Sequence, residues 1–318
     1  MACPGKAVPT RRRLTDTGTE TVRGIVLVTA GYVMMAIGDG SVKWAIPVVG
    51  MAGAMIGRAV FGMPTVLLVA GLRGRGGWRR LRPVRWRLVA LRSIVHCISS
   101  MFWYLAWAMN MPLADSYAIG FVTPLLMTLA AVPLLGERLR WRRTVSILVG
   151  FVGVLVMLRP GGSLWTPAAL AMLGALPTLV ASRILIRLLA TTETAECLTF
   201  WMIATHLPVG LLLWAFLPIP GISWLALVAL MVMGLANGIG HWLQASAFAL
   251  APVGALAPHE YTSLLWGSAV GWVLFAEWPT RDALLGAPIV VAAGLYNLRR
   301  EQIRRREELR SRAAAREE

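Results

Sequence analysis

The residues of this 318-residue sequence that could carry chemistry are ionisable groups set inside long apolar stretches. Arg58 lies about ten residues, or roughly 15 Å, into the apolar stretch 48–72 if that stretch is helical. A guanidinium can hold a carboxylate or a phosphate through two parallel hydrogen bonds, so Arg58 is a candidate anchor for an anionic ligand group. The alternative is an ion pair with Asp39, which lies at a similar depth on the preceding stretch.

Lys43 extends this cluster because it follows Asp39 by four residues, the spacing that brings two side chains to one face of a helix. Asp39 could then be shared between Lys43 and Arg58, which would leave net positive charge beside it. This arrangement favours an anionic or zwitterionic ligand over a simple cation, and it makes Lys43 a second candidate for ligand binding.

A polar stripe runs along a later apolar stretch, where Asn237, His241 and Gln244 share one helical face. Their unsatisfied hydrogen bonds would be costly against lipid, so the stripe faces either a ligand cavity or a partner helix. Glu260, after Pro258, is predicted to lie at a depth similar to that of His241. Asp39, Glu260 and His241 are therefore candidates for ion coupling with protons, and the alternative for Glu260 is a salt bridge near the cytoplasmic end.

Aromatic residues could supply a stacking surface for a ligand. Trp103 and Trp107 are spaced four apart, with Tyr104 between them, and Tyr117 and Tyr261 are further candidates. Core packing or a belt at the membrane interface is the alternative role.

Composition indicates what kind of protein positions these residues. Apolar residues make up 57% of the chain and charged residues only 14%, whereas soluble domains carry about 25% charged residues. The net charge of +16 lies mostly in the gaps between apolar stretches, so no nucleic-acid partner is predicted. We find no phosphate-binding loop, metal-ligand spacing or nucleophile elbow, so neither a cofactor nor a metal is expected, and the chain is not predicted to be an enzyme.

The fold class predicted from these stretches is an all-α integral membrane protein with ten transmembrane helices. The predicted spans are 24–46, 48–72, 88–109, 113–135, 144–159, 166–188, 197–217, 223–248, 255–276 and 283–298. With this arrangement, 26 of the 31 Lys and Arg residues lie in tails, loops and helix ends on one side. Translocation of arginine-rich loops is disfavoured, so both termini are expected in the cytoplasm of a bacterial inner (plasma) membrane.

The two halves of the chain resemble each other. A shift of 140 residues places Pro112 on Pro252, Glu137 on Glu277 and Phe121 on Tyr261. Because five helices per half is an odd number, the second half must be inverted relative to the first. Inverted repeats around a central cavity are typical of alternating-access transporters.

Several motifs resemble the EamA-type repeat of the drug/metabolite transporter (DMT) superfamily. In the first half they are Pro112–Asp115, Pro124-Leu125, Leu134–Arg138, and Gly150–Val154 followed by Arg159–Gly161. In the second they are Ala245–Ala257, Tyr261, Phe275–Glu277 and Gly286–Arg300, with Ala276 standing where the first half has Gly136. The resemblance implies ten helices, cytoplasmic termini and a cavity between the halves.

These observations divide the chain into a cytoplasmic tail, two repeats and a basic cytoplasmic tail. The expected bounds are 1–23, 24–161, 166–298 and 299–318. The predicted function is a secondary transporter for a small metabolite, anionic or zwitterionic, amino-acid-like or nucleotide-related. Protons and membrane lipids are the other expected partners, and the state is a monomer or a homodimer. The alternatives are an intramembrane lipid-modifying enzyme and a non-transporting component of a membrane complex.

The charge pattern makes a prediction about topology. Reporter fusions after residues 80, 140 and 305 should behave as cytoplasmic, because the basic residues cluster there. Fusions near residues 162 and 220 should behave as external. A cytoplasmic reporter at either external site would rule out the ten-helix inverted arrangement.

Overall fold

The structure is a computed structural model that describes residues 18–72, 77–135, 141–158, 166–190, 192–251 and 256–314. These ranges contain helices and connecting segments, and no strand occurs within them. Glu137 and Pro252, which carry two of the three matches between the halves, lie outside the described residues.

Eleven α-helices follow one another in the described part of the chain. In order they are α1 Gly18–Leu72, α2 Trp86–Ala108, α3 Leu113–Gly120, α4 Val122–Leu135, α5 Trp141–Leu158, α6 Pro167–Leu189, α7 Ala195–Ala204, α8 His206–Phe216, α9 Trp224–Leu250, α10 Thr262–Phe275 and α11 Arg281–Ala314. Short 3-10 segments occupy Gly77–Leu81 and Ala257–Tyr261.

Helix α1 bends sharply at Gly50, where the backbone has φ 67° and ψ 179°. This conformation is essentially restricted to glycine, because a Cβ atom would clash with the backbone. Gly50 lies close to the predicted junction between spans 24–46 and 48–72. We refer below to the residues of α1 before and after it as its first and second arms.

Three predicted spans are interrupted by a break in the helix. The span 113–135 divides at Phe121 into α3 and α4, and the span 197–217 divides at Thr205 into α7 and α8. The span 255–276 begins with the 3-10 segment that ends at Tyr261. Irregular backbone of this kind is tolerated at membrane depth only where protein or a cavity covers it.

Five helical segments are long and apolar enough to cross a membrane. They are Glu20–Leu72, Trp86–Ala108, Pro167–Ile186, Ala195–Phe216 and Trp224–Leu250. Large apolar side chains are exposed along the outside of the bundle, among them Leu68, Leu148 and Val273. These features are those of a multi-pass membrane protein, while the number of ten crossings stays a prediction.

The most extensive helix contacts join the first and second halves of the chain. Helix α1 packs along α9, α5 packs along α11, and α2 packs along α6. Small residues allow the first of these approaches: a Cβ on Gly31 would lie 3.0 Å from the carbonyl oxygen of Gly240, and one on Gly234 would lie 2.7 Å from the backbone of Phe61. Close backbone contact of this type is the usual basis of helix association in membranes.

A group of polar contacts ties three elements together at one end of the bundle. The ammonium of Lys43 on α1 lies 2.5 and 2.7 Å from the two carboxylate oxygens of Glu277, which follows α10. Glu277 also accepts the backbone N–H of Leu113 at the start of α3. The buried Asp115 accepts both the backbone N–H and the hydroxyl of Thr280, so every one of these ionic groups has a partner.

Arg92 on α2 does not extend to the membrane surface as a side chain one turn into its span could. It is buried between helices and donates to the backbone oxygen of Leu198 on α7 at 2.5 Å. Its charge therefore serves helix packing in the interior.

We predict that Gly50→Ala lowers the free energy of unfolding by about 1–3 kcal/mol, because alanine is strained at this φ. A Cβ there would also approach Pro220 Cδ to 3.1 Å. Gly71→Ala is the matched control, since a Cβ at Gly71 meets nothing within 4 Å and alanine favours a helix. Thermal unfolding in detergent, followed by circular dichroism, should show destabilisation at Gly50 alone; equal effects would contradict the strained bend.

The contact between Lys43 and Glu277 makes a second prediction. Lys43→Met and Glu277→Gln should each destabilise the protein by about 3 kcal/mol, because each leaves a largely buried charge without its partner. The double variant should recover much of that loss in a double-mutant cycle. Arg281→Gln, at an exposed position, is the control and should change the free energy of unfolding by about 0.5 kcal/mol or less. Additive losses at Lys43 and Glu277 would show that the pair contributes no coupling.

Candidate functional site

A cavity of about 110 Å³ lies in the middle of the bundle, between the first and second halves of the chain. Both halves supply its charged, polar and aromatic wall. The first half contributes Tyr32, Asp39, Arg58, His96, Ser100, Trp103, Tyr104, Trp107, Tyr117 and Phe121, and the second contributes Arg183, Asn237, His241, Glu260 and Ser263.

Arg58 lies in the wall of this cavity, on the second arm of α1, and its side chain is only 4% exposed. It donates to the hydroxyl of Tyr104 at 3.1 Å and contacts Nε2 of His241 at 3.0 Å. A guanidinium has donors only, so His241 accepts this bond at Nε2 and, when neutral, carries its proton on Nδ1. The deepest cation of the cavity is thus held by two neutral groups.

Asp39 lies on the first arm of α1 and accepts a hydrogen bond from the hydroxyl of Tyr117 at 2.7 Å. In the described part of the chain, Asp39 and Arg58 do not form an ion pair. The alternative that paired these two charges with each other is therefore wrong for this conformation. Each of them is met by a tyrosine from a neighbouring helix instead.

Lys43 is not part of the cavity wall. Its ammonium is bound to Glu277, so the expectation that Asp39 is shared between Lys43 and Arg58 is also wrong. The i, i+4 spacing allowed a contact with Asp39, but a carboxylate brought in from the end of α10 provides a closer partner. The structure thus gives no support to Lys43 as a ligand-binding residue.

Glu260 does line the cavity, and it forms an ion pair with Arg183 of α6 at 2.8 Å. Glu260 thus forms a salt bridge, as its alternative role required, while the position of that salt bridge near the cytoplasmic end stays a prediction. The partnership with His241 is not formed, and His241 contacts Arg58 instead. Arg183 was not predicted as a site residue. Its position near the end of an apolar stretch suggested a cytoplasmic helix end, and nothing local in the sequence marked it as facing a cavity.

Three histidines from three helices meet beside Arg58. The ring of His96 on α2 lies 5.4 Å from that of His241 on α9 and 6.2 Å from that of His206 on α8. The Nδ1–H group of His206 donates to the backbone oxygen of Met202, while Nε2 of His96 has no hydrogen-bond partner among the described residues. Sequence reasoning missed His206, since its distance of 35 or more residues from the other two carries no local signal.

The aromatic residues form one continuous wall of the cavity. The ring of Trp103 lies 5.5 Å from that of Trp107 and 5.8 Å from that of Tyr117, and Tyr104 stacks on Trp107 at 5.9 Å. Trp107 is buried and donates through its indole N–H to Ser116, whereas Trp103 is only partly buried. These side chains line the cavity, and Tyr104 and Trp107 are also part of the buried core, as the core-packing alternative expected.

Two further candidates lie beside the cavity. Gln244 is outside the wall, so the polar stripe of α9 reaches the cavity through Asn237 and His241 only. Tyr261 is also outside the wall; its ring packs edge-on against that of Phe121 at 5.1 Å. The two residues that the 140-residue shift superimposes are thus in direct contact.

Comparison with known proteins identifies the class to which this arrangement belongs. Residues 22–159 match the model of the EamA-like transporter family. A riboflavin transporter of Vibrio cholerae serotype O1 is 24% identical over 269 residues, which cover 83% of this chain and 89% of that protein. An S-adenosylmethionine uptake transporter of Rickettsia prowazekii is 27% identical over 215 residues, which cover 64% of this chain and 71% of that protein.

A solved crystal structure shares the fold. It matches with a TM-score of 0.60 and 17% identity, over 87% of this chain and 96% of its own. The family match, the transporter relatives and the apolar helices agree with the resemblance seen in the sequence motifs. The first half of the chain, residues 22–159, thus matches the EamA-like transporter family of the drug/metabolite transporter superfamily, and the relatives of the chain are named as transporters and not as enzymes.

Proposed function

We propose that this protein is a secondary transporter that moves a small metabolite across the bacterial inner membrane by alternating access to the central cavity. The observation that carries the proposal is the wall of that cavity: charged and aromatic side chains from both halves converge there, while the outside of the bundle exposes apolar groups. A cavity between two halves is where alternating-access transporters bind their substrates.

The pairing of helices supports two inverted halves of five crossings each, with both termini in the cytoplasm. A shift of 140 residues relates the first arm of α1 to α6, and α2 to α9. Under this shift, the contact between α1 and α9 is equivalent to the contact between α6 and α2. Both contacts are present in the structure. The same shift places Lys43 on Arg183, and each of these cations binds a glutamate from the second half.

The relatives suggest the kind of substrate. Riboflavin and S-adenosylmethionine, the compounds for which two relatives are named, both combine a flat heteroaromatic ring with a polar tail. Trp103 and Tyr117 offer faces for such a ring, and Arg58, Asp39 and Asn237 offer polar contacts for a tail. We therefore propose a ring-containing metabolite with a polar tail as substrate.

We include ion coupling in the proposal only for residues that line the cavity and whose protonation would change their contacts. Asp39 and Glu260 face the cavity, and protonation of Glu260 would weaken its attraction to Arg183. His241 accepts from Arg58 at Nε2, so it could gain a proton there only by losing that hydrogen bond. Glu260 is for this reason the better candidate of the two.

Transport can be tested with the purified protein alone. Liposomes that contain it, loaded with unlabelled riboflavin or S-adenosylmethionine, should accumulate the same labelled compound by counterflow for at least one of the two. Protein-free liposomes are the control. If a wider panel of ring-containing metabolites also shows no counterflow, the proposal fails, and a non-transporting membrane component becomes the better account.

The aromatic wall makes a more specific prediction. Trp103→Ala should weaken binding of the transported compound about tenfold, because stacking on an aromatic side chain contributes about 1–3 kcal/mol per ring. Trp214→Ala is the matched control, since Trp214 is 53% exposed on the outside of α8. Half-saturation in counterflow, measured for both variants, should change at Trp103 only. An equal change at Trp214 would exclude stacking in the cavity as the cause.

A further inference from the structure

We infer that the cavity recognises its substrate as a zwitterion, with an anionic group of the ligand on Arg58 and a cationic group on Asp39. This inference rests on the proposed function and makes it more specific, because it selects ligands with an α-amino-acid headgroup over neutral ring compounds. Three features of the cavity carry it: a buried cation and an acid that form no ion pair in the described part of the chain, and the way both are held.

The buried cation is Arg58. Its two terminal nitrogens bind neutral groups, a tyrosine hydroxyl and an imidazole, and its Nε has no hydrogen-bond partner in the described ranges. No carboxylate among the described residues lies within ion-pair distance of it. A buried guanidinium without a counter-ion is costly, and a carboxylate or phosphate of a ligand would both neutralise it and use its free donor.

The acid is Asp39, which is only partly buried and lines the same cavity. One of its oxygens accepts from Tyr117. Two nearby cations are bound elsewhere, Lys43 by Glu277 and Arg183 by Glu260, and Arg58 does not come within ion-pair distance of Asp39. A primary or secondary ammonium on a ligand is the group that would complete this site.

Each of these opposite charges is hydrogen-bonded to a tyrosine and not to the other charge. Tyr104 of α2 holds Arg58, and Tyr117 of α3 holds Asp39. A purely anionic ligand would meet Asp39 and a purely cationic ligand would meet Arg58, so each would bring a like-charge contact into a site of low dielectric. A zwitterion satisfies both residues at once, while its ring can lie against Trp103.

Because Trp103 offers a face for a ring, small ring compounds that differ only in their charged groups can test the inference. L-Tryptophan and S-adenosylhomocysteine are zwitterions with a ring. Tryptamine lacks the carboxylate, indole-3-propionate lacks the ammonium, and 5′-methylthioadenosine lacks both. Isothermal titration of the purified full-length protein with these five probes separates the contribution of the ring from that of each charge.

We expect at least one zwitterion to bind at least tenfold more tightly than its matched analogues. Arg58→Gln should reduce this preference and favour tryptamine relative to indole-3-propionate, whereas Asp39→Asn should shift the preference in the opposite direction. A general loss of structure cannot produce opposite shifts. Arg58→Lys, which keeps the charge, should keep the order of preference, and Arg281→Gln, at an exposed position outside the cavity, is the control.

Three outcomes would overturn the inference. The first is that neither zwitterion binds to the wild-type protein. The second is that the analogues bind as tightly as the zwitterions, and the third is that both variants shift the preference in the same direction. The proposed function is tested separately by counterflow: transport of a neutral ring compound with no preference for zwitterions would leave the transporter in place and remove this inference. Binding of zwitterions without counterflow of any bound compound would support zwitterion recognition and contradict the proposed transport.

Discussion

The structure depends on one constraint: a charged group inside an apolar helix bundle must have a partner, because neither lipid nor a packed interior can solvate it. Most of the buried charges meet this constraint within the protein. Lys43 binds Glu277, Arg183 binds Glu260, and Arg92 donates to a backbone carbonyl oxygen. Arg58 and Asp39 differ in position. They line the cavity, and among the described residues neither forms an ion pair, so they mark the place where a ligand can complete the set of contacts.

Interruptions of the helices place that cavity in the middle of the bundle. The first arm of α1 carries Asp39 and the second carries Arg58, and the bend at Gly50 returns the chain so that both arms pack on α9. The breaks at Phe121 and Tyr261 meet at their aromatic rings beside the cavity. Short helical segments thus bring polar side chains from distant parts of the chain to one central cavity.

The candidate site extends beyond the part of the chain that matches the family model. The family match covers residues 22–159, but Arg183, Asn237, His241 and Glu260 come from the second half and line the same cavity. At 24–27% identity most residues differ between this chain and these relatives, so similarity alone does not specify the side chains that contact a ligand. Recognition of a ligand is therefore a property of the site in this chain, and it has to be argued from contacts such as that between Arg58 and Tyr104.

The sequence by itself determined that the chain is a helical membrane protein and that its first half matches the EamA-like family, because composition, the blocks of apolar residues and the motifs are local properties of the chain. It also identified Arg58, Asp39, the aromatic cluster around Trp103 and the stripe on α9, since a polar group in an apolar stretch is conspicuous wherever it points. Only the tertiary structure decided which side chains contact each of these charged groups. Spacing along one helix suggested Lys43 for Asp39, but the partners that the fold supplies, Glu277 for Lys43 and Tyr117 for Asp39, come from positions 234 and 78 residues away, and no local pattern encodes contacts over such separations.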